Sequence, residues 1–171
     1  MKDSNRFLIR LLPNRVPSWI LWTILFTALL GFFDASYLAA KHFAGVVPPC
    51  NLFSGCEIVT TSKYSLIFGV PVALLGALYY AAVFFLALLY LDTRNDRYIV
   101  LAALLTFAGF GFSLWFMFVQ AFILYAFCQY CLFSALTSTI LFVLGLAVLR
   151  IKIKLENQNE QSTNENNSIR F

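Results

Sequence analysis

Apolar residues fall in four long runs separated by short polar stretches. The first extends from Trp19 to about Ala40; it is uncharged from Ser18 to Phe33 and carries Asp34 toward its far end. The second covers about Ser65 to Leu91, with Gly69 and Pro71 near its start. From Tyr98 no Asp, Glu, Lys or Arg follows until Arg150, a stretch of 52 residues. As one straight helix that stretch would measure about 78 Å, more than twice the roughly 30 Å hydrocarbon core of a bilayer. It must therefore fold back, and the length places the turn near Tyr125–Cys128. This gives a third span over Tyr98–Tyr125 and a fourth over Gln129–Leu149. No Gly or Pro marks that turn. Alternation at period two is absent, so the runs predict helices and not barrel strands. The expected fold is an all-α integral membrane protein, a bundle of four transmembrane helices.

Composition agrees: 61% of residues are apolar and 12% charged, against about 45–50% and about 25% in soluble domains. The net charge of +4 matters through its placement. Lys2, Arg6, Arg10 and Arg15 precede the first span. Arg94 and Arg97 separate the second from the third, and Arg150, Lys152 and Lys154 follow the fourth. Four spans bring these groups to one side, which the excess of Lys and Arg marks as cytoplasmic. They are topology signals, not a nucleic-acid footprint. The chain thus divides into a basic cytoplasmic N-terminus (1–17), a membrane domain (18–150) and a cytoplasmic tail (151–171), multi-pass in the cell's inner membrane with both termini cytoplasmic. The basic start could also open a cleavable signal peptide, but the apolar run is long for one and no A-x-A site follows. The tail from Glu156 is rich in Asn, Gln, Glu and Ser and predicts disorder. Its Asn166-Asn167-Ser168 sequon should be inert on the cytoplasmic side.

The four cysteines, Cys50, Cys56, Cys128 and Cys131, all map to the other, extracytoplasmic side, although cysteine played no part in setting the topology. Disulfides persist in that compartment. Cys50 and Cys56 bracket a loop between helices 1 and 2, Pro48-Pro49-Cys50-Asn51-Leu52-Phe53-Ser54-Gly55-Cys56, that can close and reopen a small disulfide. Gly55 relaxes the approach to Cys56. Cys128-Gln129-Tyr130-Cys131 opens the fourth span; spacing of three puts both sulfurs on one helix face, beside free N–H groups that favour a thiolate. Two-electron redox chemistry needs such a pair. Two structural disulfides in a non-catalytic protein are the alternative. A zinc site is disfavoured by the Cys-x5-Cys spacing and the lack of a companion His. The single His, His42, reads as a solvated loop residue beside Lys41.

The order of these motifs resembles the vitamin K epoxide reductase (VKOR) family: a spaced cysteine pair in the first extracytoplasmic loop, then a CxxC at the start of the fourth helix. Cys56-Glu57-Ile58-Val59-Thr60-Thr61-Ser62-Lys63-Tyr64-Ser65 resembles the family's segment after the second cysteine, including its serine. Phe68-Gly69-Val70-Pro71-Val72-Ala73-Leu74-Leu75-Gly76 is similar to bacterial members, and Leu124–Cys131 to the redox motif. The resemblance covers about Trp19 to Arg150. It implies a thiol oxidoreductase that oxidises a thioredoxin-fold (DsbA-like) partner and reduces a membrane quinone, ubiquinone or menaquinone, as its substrate, in support of disulfide formation. It also implies roles: Cys50 meets the partner, Cys56 shuttles to Cys128, and Cys131 faces the quinone, with Ser62 near the quinone carbonyl. Many bacterial members carry a fused thioredoxin-like domain; this chain stops first, which implies a separate partner. Vertebrate members have a Tyr four residues after the last cysteine, where this chain has Ala135, which argues against epoxide reduction. DsbB proteins share the chemistry but carry the two cysteine motifs in the reverse order.

Phe112, Trp115, Phe116 and Phe122 are candidate quinone-lining aromatics. Ser62 can equally be a helix cap before the second span. Asp34 is expected among the lipid headgroups, and Gly31, Gly76, Gly109 and Gly111 are expected to permit close helix packing.

Overall fold

The structure, a computed structural model, describes residues 16–50 and 55–168. The basic residues Lys2 to Arg15 and the loop segment 51–54 lie outside the described residues. Four helices are long and apolar enough to cross a membrane, over Ser18–Phe43, Val72–Thr93, Asp96–Ile123 and Gln129–Gln158. We label the elements α1 (Ser18–Phe43), α2 (Cys56–Thr61), β1 (Leu66–Ile67), β2 (Val70–Pro71), α3 (Val72–Thr93), α4 (Asp96–Phe118) and α5 (Gln129–Ser168). The fold is the expected all-helical four-span bundle, with the cysteine-bearing loop between the first two spans.

The membrane helices form a four-sided ring: α1 packs on α3, α3 on α4, α4 on α5, and α5 back on α1. Lipid supplies no hydrophobic drive for helices to associate, so small residues and buried hydrogen bonds carry the interfaces. Ala28, Ala35, Ala77, Ala87, Ala102 and Ala103 are accordingly buried. The Tyr80 ring fills the space over Gly31, where a Cβ would collide with it. Its hydroxyl donates to the Ser134 carbonyl at 2.7 Å and lies 2.8 Å from Thr137 Oγ1, clamping α3 to α5. Gly145 meets Thr106 in the same close-packed way, a contact not expected from the sequence. Gly76 faces Ala35 at ordinary distance, and Gly111 has nothing within 4 Å, so Gly111 is not a packing glycine.

Local sequence sets the span ends. Between α3 and α4 the chain turns on Arg94, in the left-handed region at φ 55°, and Asn95 caps α4 by accepting the Arg97 N–H at 3.1 Å. Lys152 pairs with Asp96, so this turn and the exit of α5 share one end of the bundle. All four cysteines sit at the other.

Two spans depart from expectation. The second begins at Val72, not Ser65. Residues 66–71 instead form a two-stranded hairpin whose turn, Phe68-Gly69, has φ of 51° and 81°. Gly69 accepts that geometry without a Cβ penalty and Pro71 cannot donate to a preceding turn; apolarity alone had merged the hairpin with the span. The fourth helix does not end at Leu149 but continues to Ser168, through residues expected to be disordered. No Gly or Pro interrupts 146–168, and adding turns to a formed helix avoids the cost of nucleation.

Candidate active site

α1 ends at a turn on Gly45, after which the chain runs without regular secondary structure to Cys50. Cys50 and Cys56 are joined as a disulfide, with Cα atoms 6.1 Å apart. The segment before Cys50 is tied to the first turn of α5, since the Pro49 carbonyl accepts from the Tyr130 hydroxyl at 3.1 Å and from Gln129 Nε2 at 3.4 Å. Just before Cys56, Gly55 lies against the turn preceding α5. A Cβ on Gly55 would stand 2.7 Å from both Phe127 N and Phe127 O. Its φ of −91° is open to any residue. The position therefore requires glycine for lack of room, not for the backbone freedom expected from the sequence.

The turn before α5 is built without Gly or Pro. After α4 the helix widens over Val119–Ile123, and the Leu124 N–H reaches the Val119 carbonyl at 3.0 Å. Such π-type turns recur at functional sites. Tyr125 takes a φ of 49°. Gln120 holds the rest of the turn in place: its carbonyl accepts the Ala126 N–H at 3.1 Å, and its side-chain Oε1 accepts the Cys128 N–H at 2.9 Å. Gln120 is fully buried, so this is a buried bond to the N–H of Cys128. This bond was not expected from the sequence. The signal was there: between Tyr98 and Tyr125 the only polar residues are Thr106, Ser113 and Gln120, and a buried amide in a span needs a partner.

The two motifs converge. Cys56, Val59, Ala126 and Cys128 form one buried cluster, with Cys50 and Cys131 packed at its margin. Cys56 and Cys128 are 1% and 0% exposed. Cys131 lines a cavity of about 640 Å³ that residues of all four spans, α2 and the hairpin also line, a size suited to a small organic ligand. Cys128 and Cys131 are free thiols.

Cys128 lies in the turn, outside both adjoining spans. Its thiol is lowered to about 7, chiefly by the hydrogen bond from the Cys131 thiol and also by the backbone N–H groups of Cys131 and Tyr130, against the upward push of burial. The thiolate is thus favoured from neutral pH upward and is lost as pH falls below about 7. Removing Cys131 removes the leading cause. In Cys131→Ala, with Cys50 and Cys56 paired, the ionisation midpoint of Cys128 is expected to rise toward the ordinary thiol value of about 8.5. Thiolate ultraviolet absorbance against pH reads it directly. An unchanged midpoint would assign the shift to the helix N-terminus instead.

Ser62 and Cys131 line the same cavity. Ser62 terminates α2, and its hydroxyl donates to the Val59 carbonyl at 2.9 Å. Of the candidate aromatics, Phe112 and Phe116 line the cavity, whereas Trp115 and Phe122 point outward, more than half exposed. Asp34, expected among the lipid headgroups, is turned to the bundle interior: it lines the cavity and acts electrostatically on Tyr80, Tyr130 and Cys131. His42 also lines the cavity, from the last turn of α1 and not from a loop. Among the described residues no three His, Cys, Asp or Glu side chains are grouped as metal donors.

No curated protein gives a significant match to the chain. Residues 22–146 match the model of the Vitamin K epoxide reductase family, a stretch that takes in all four cysteines and both ends of the cavity. With more than half its length matched, and its cysteines gathered at the end of a four-span bundle, the chain belongs to the vitamin K epoxide reductase family.

Proposed function

We propose that this protein oxidises the dithiol of an extracytoplasmic thioredoxin-fold protein and passes the electrons through its four cysteines to a membrane quinone. One observation carries the reading: the outer member of each pair has an outlet and the inner members are buried together. Cys50 is partly exposed and Cys131 opens on the cavity, while Cys56 and Cys128 share one buried cluster. That is the arrangement a linear relay needs, because exchange requires contact between attacking and attacked sulfur.

The partner's thiolate attacks Cys50 and releases Cys56, and the partner's second thiol resolves the mixed disulfide. Cys56 then attacks Cys128 of a Cys128–Cys131 disulfide and releases Cys131. Cys50 attacks Cys56 and frees Cys128, which restores the loop disulfide and leaves Cys128 and Cys131 as dithiol. The bond between Cys128 and Cys131 re-forms as the quinone takes two electrons and, with the two thiol protons, becomes the quinol. The net reaction converts one dithiol and one quinone to one disulfide and one quinol. The described structure corresponds to the state with the loop oxidised and the CxxC pair reduced. Support for the quinone is chemical: the cavity is walled by Phe112 and Phe116 and reached by the Cys131 sulfur. The basic residues Arg94, Arg97, Lys152 and Lys154 at the opposite end fit a cytoplasmic face, with the cysteine end extracytoplasmic and both termini inside.

The test is quinol formation by the purified protein in detergent, with a reduced thioredoxin-fold protein as donor. Formation well above the uncatalysed rate, dependent on both donor and quinone, is expected. Folded protein that gives none with several quinones would leave the cysteines as structural disulfides.

A further inference from the structure

Among the described residues, three buried side-chain atoms have no hydrogen-bond partner: Tyr79 Oη, Gln120 Nε2 and Ser138 Oγ. All three residues line the same cavity. Buried polar groups are nearly always satisfied, and leaving one unpaired costs free energy. Three orphans around one cavity therefore point to its occupant as their common partner.

Their placement says what that occupant offers. Gln120 stands at the cysteine end, where its Oε1 already accepts the Cys128 N–H. Tyr79 and Ser138 stand deeper, as neighbours whose hydroxyls interact without reaching the geometry of a full hydrogen bond. Tyr79 is fixed there: its ring lies across Gly109, where any Cβ would strike it, and edge-on to Tyr80 at 5.0 Å. Tyr80, by contrast, spends its hydroxyl on Ser134 and Thr137. On α5, Cys131, Ser134, Ala135 and Ser138 follow one another at helical spacing and all line the cavity. Cys131 and Ser138 are about 10 Å apart along the helix axis, with the small Ala135 between them. Apolar walls with hydrogen-bond donors at opposite ends suit a flat ring bearing oxygens on opposite edges.

We propose that Tyr79 Oη and Ser138 Oγ form a two-hydroxyl seat for the quinone carbonyl remote from Cys131, with Gln120 Nε2 available to the carbonyl nearer the cysteines. The ring then lies along α5 with one edge at the Cys131 sulfur. Ser62 serves this end less well, because its hydroxyl is already committed to Val59. The inference rests on quinone being the electron acceptor.

The test compares wild type, Tyr79→Phe, Ser138→Ala and the double variant, with a short-tailed 1,4-quinone. Quinone binding is read without turnover, from the rise in thermal midpoint that the quinone produces. KM and kcat for quinol formation are measured alongside. Each single variant is expected to raise the quinone KM and dissociation constant roughly tenfold, the scale of one lost hydrogen bond. In the absence of quinone the variants should be as heat-stable as wild type or more so, since each removes an unsatisfied buried group. A structural role would instead lower that midpoint and leave KM alone, and this outcome overturns the proposal. Unchanged quinone binding in the double variant overturns it as well, while wild-type quinone reduction still stands. Wild type that neither binds nor reduces the quinone removes the parent reading, a separate result.

Discussion

Replacing Cys131 with alanine is expected to bring quinol formation down to the uncatalysed rate. The loss should be about a thousandfold or more, the scale on which removal of a reacting nucleophile registers. A lone Cys128 thiol cannot give up two electrons by closing a disulfide within its own motif, and Cys128 does not line the cavity where the quinone would sit. The companion variant, Cys50→Ala, separates the order of events. Cys56 can still attack Cys128 and release Cys131, but no Cys50 remains to resolve the bond. A Cys56–Cys128 crosslink should therefore accumulate, visible by mass analysis of a nonreducing digest. A Cys56–Cys131 crosslink would reverse the inner order of the relay. Full turnover in Cys131→Ala would remove Cys131 from the reaction.

The parts of this arrangement that were legible in the sequence are those fixed by bilayer thickness and by motif. A charge-free stretch of 52 residues cannot be one span, so length alone demands a turn near Cys128, and the structure turns there. The count of four spans brought the cysteines to one end before any contact was known. What length could not give was the means of turning. Hydropathy does not distinguish Leu66–Pro71 as a hairpin from the same residues as a helix, because both are apolar and the difference lies in two positive φ values. The cavity was equally hidden. Asp34, Tyr79, Gln120 and Ser138 come from four different spans, and their convergence depends on how helices rotate about their axes. In a chain this apolar, periodicity carries little of that information, since lipid-facing and bundle-facing positions are both hydrophobic. Tyr79 and Tyr80 make the point: adjacent and chemically identical, one is satisfied by α5 and the other faces the cavity unpaired.

Gly55→Ala is the second substitution expected to have a large effect, and it acts on contact and not on chemistry. The added Cβ would lie 2.7 Å from both the amide nitrogen and the carbonyl oxygen of Phe127. Backbone atoms cannot rotate away as a flexible side chain would, so the loop must lift from the turn. Gly55 immediately precedes Cys56, and Phe127 immediately precedes Cys128. Their contact thus holds side by side the two residues whose sulfurs meet in the proposed relay. Lifting the loop by even an ångström or so removes the alignment that thiol–disulfide exchange requires, and misplacement on that scale costs about a hundredfold in positioned reactions. The quinone side should be untouched, because Cys131, Tyr79 and Ser138 are carried by α5 and α3. Turnover driven by the thioredoxin-fold donor is therefore expected to fall at least tenfold, on the conservative side of that scale. Quinol formation driven by a small dithiol that reduces the Cys128–Cys131 disulfide directly should remain near wild type. If both rates fell together, Gly55 would be serving the fold of the whole extracytoplasmic end; if neither fell, the Gly55–Phe127 contact would have no part in bringing Cys56 to Cys128.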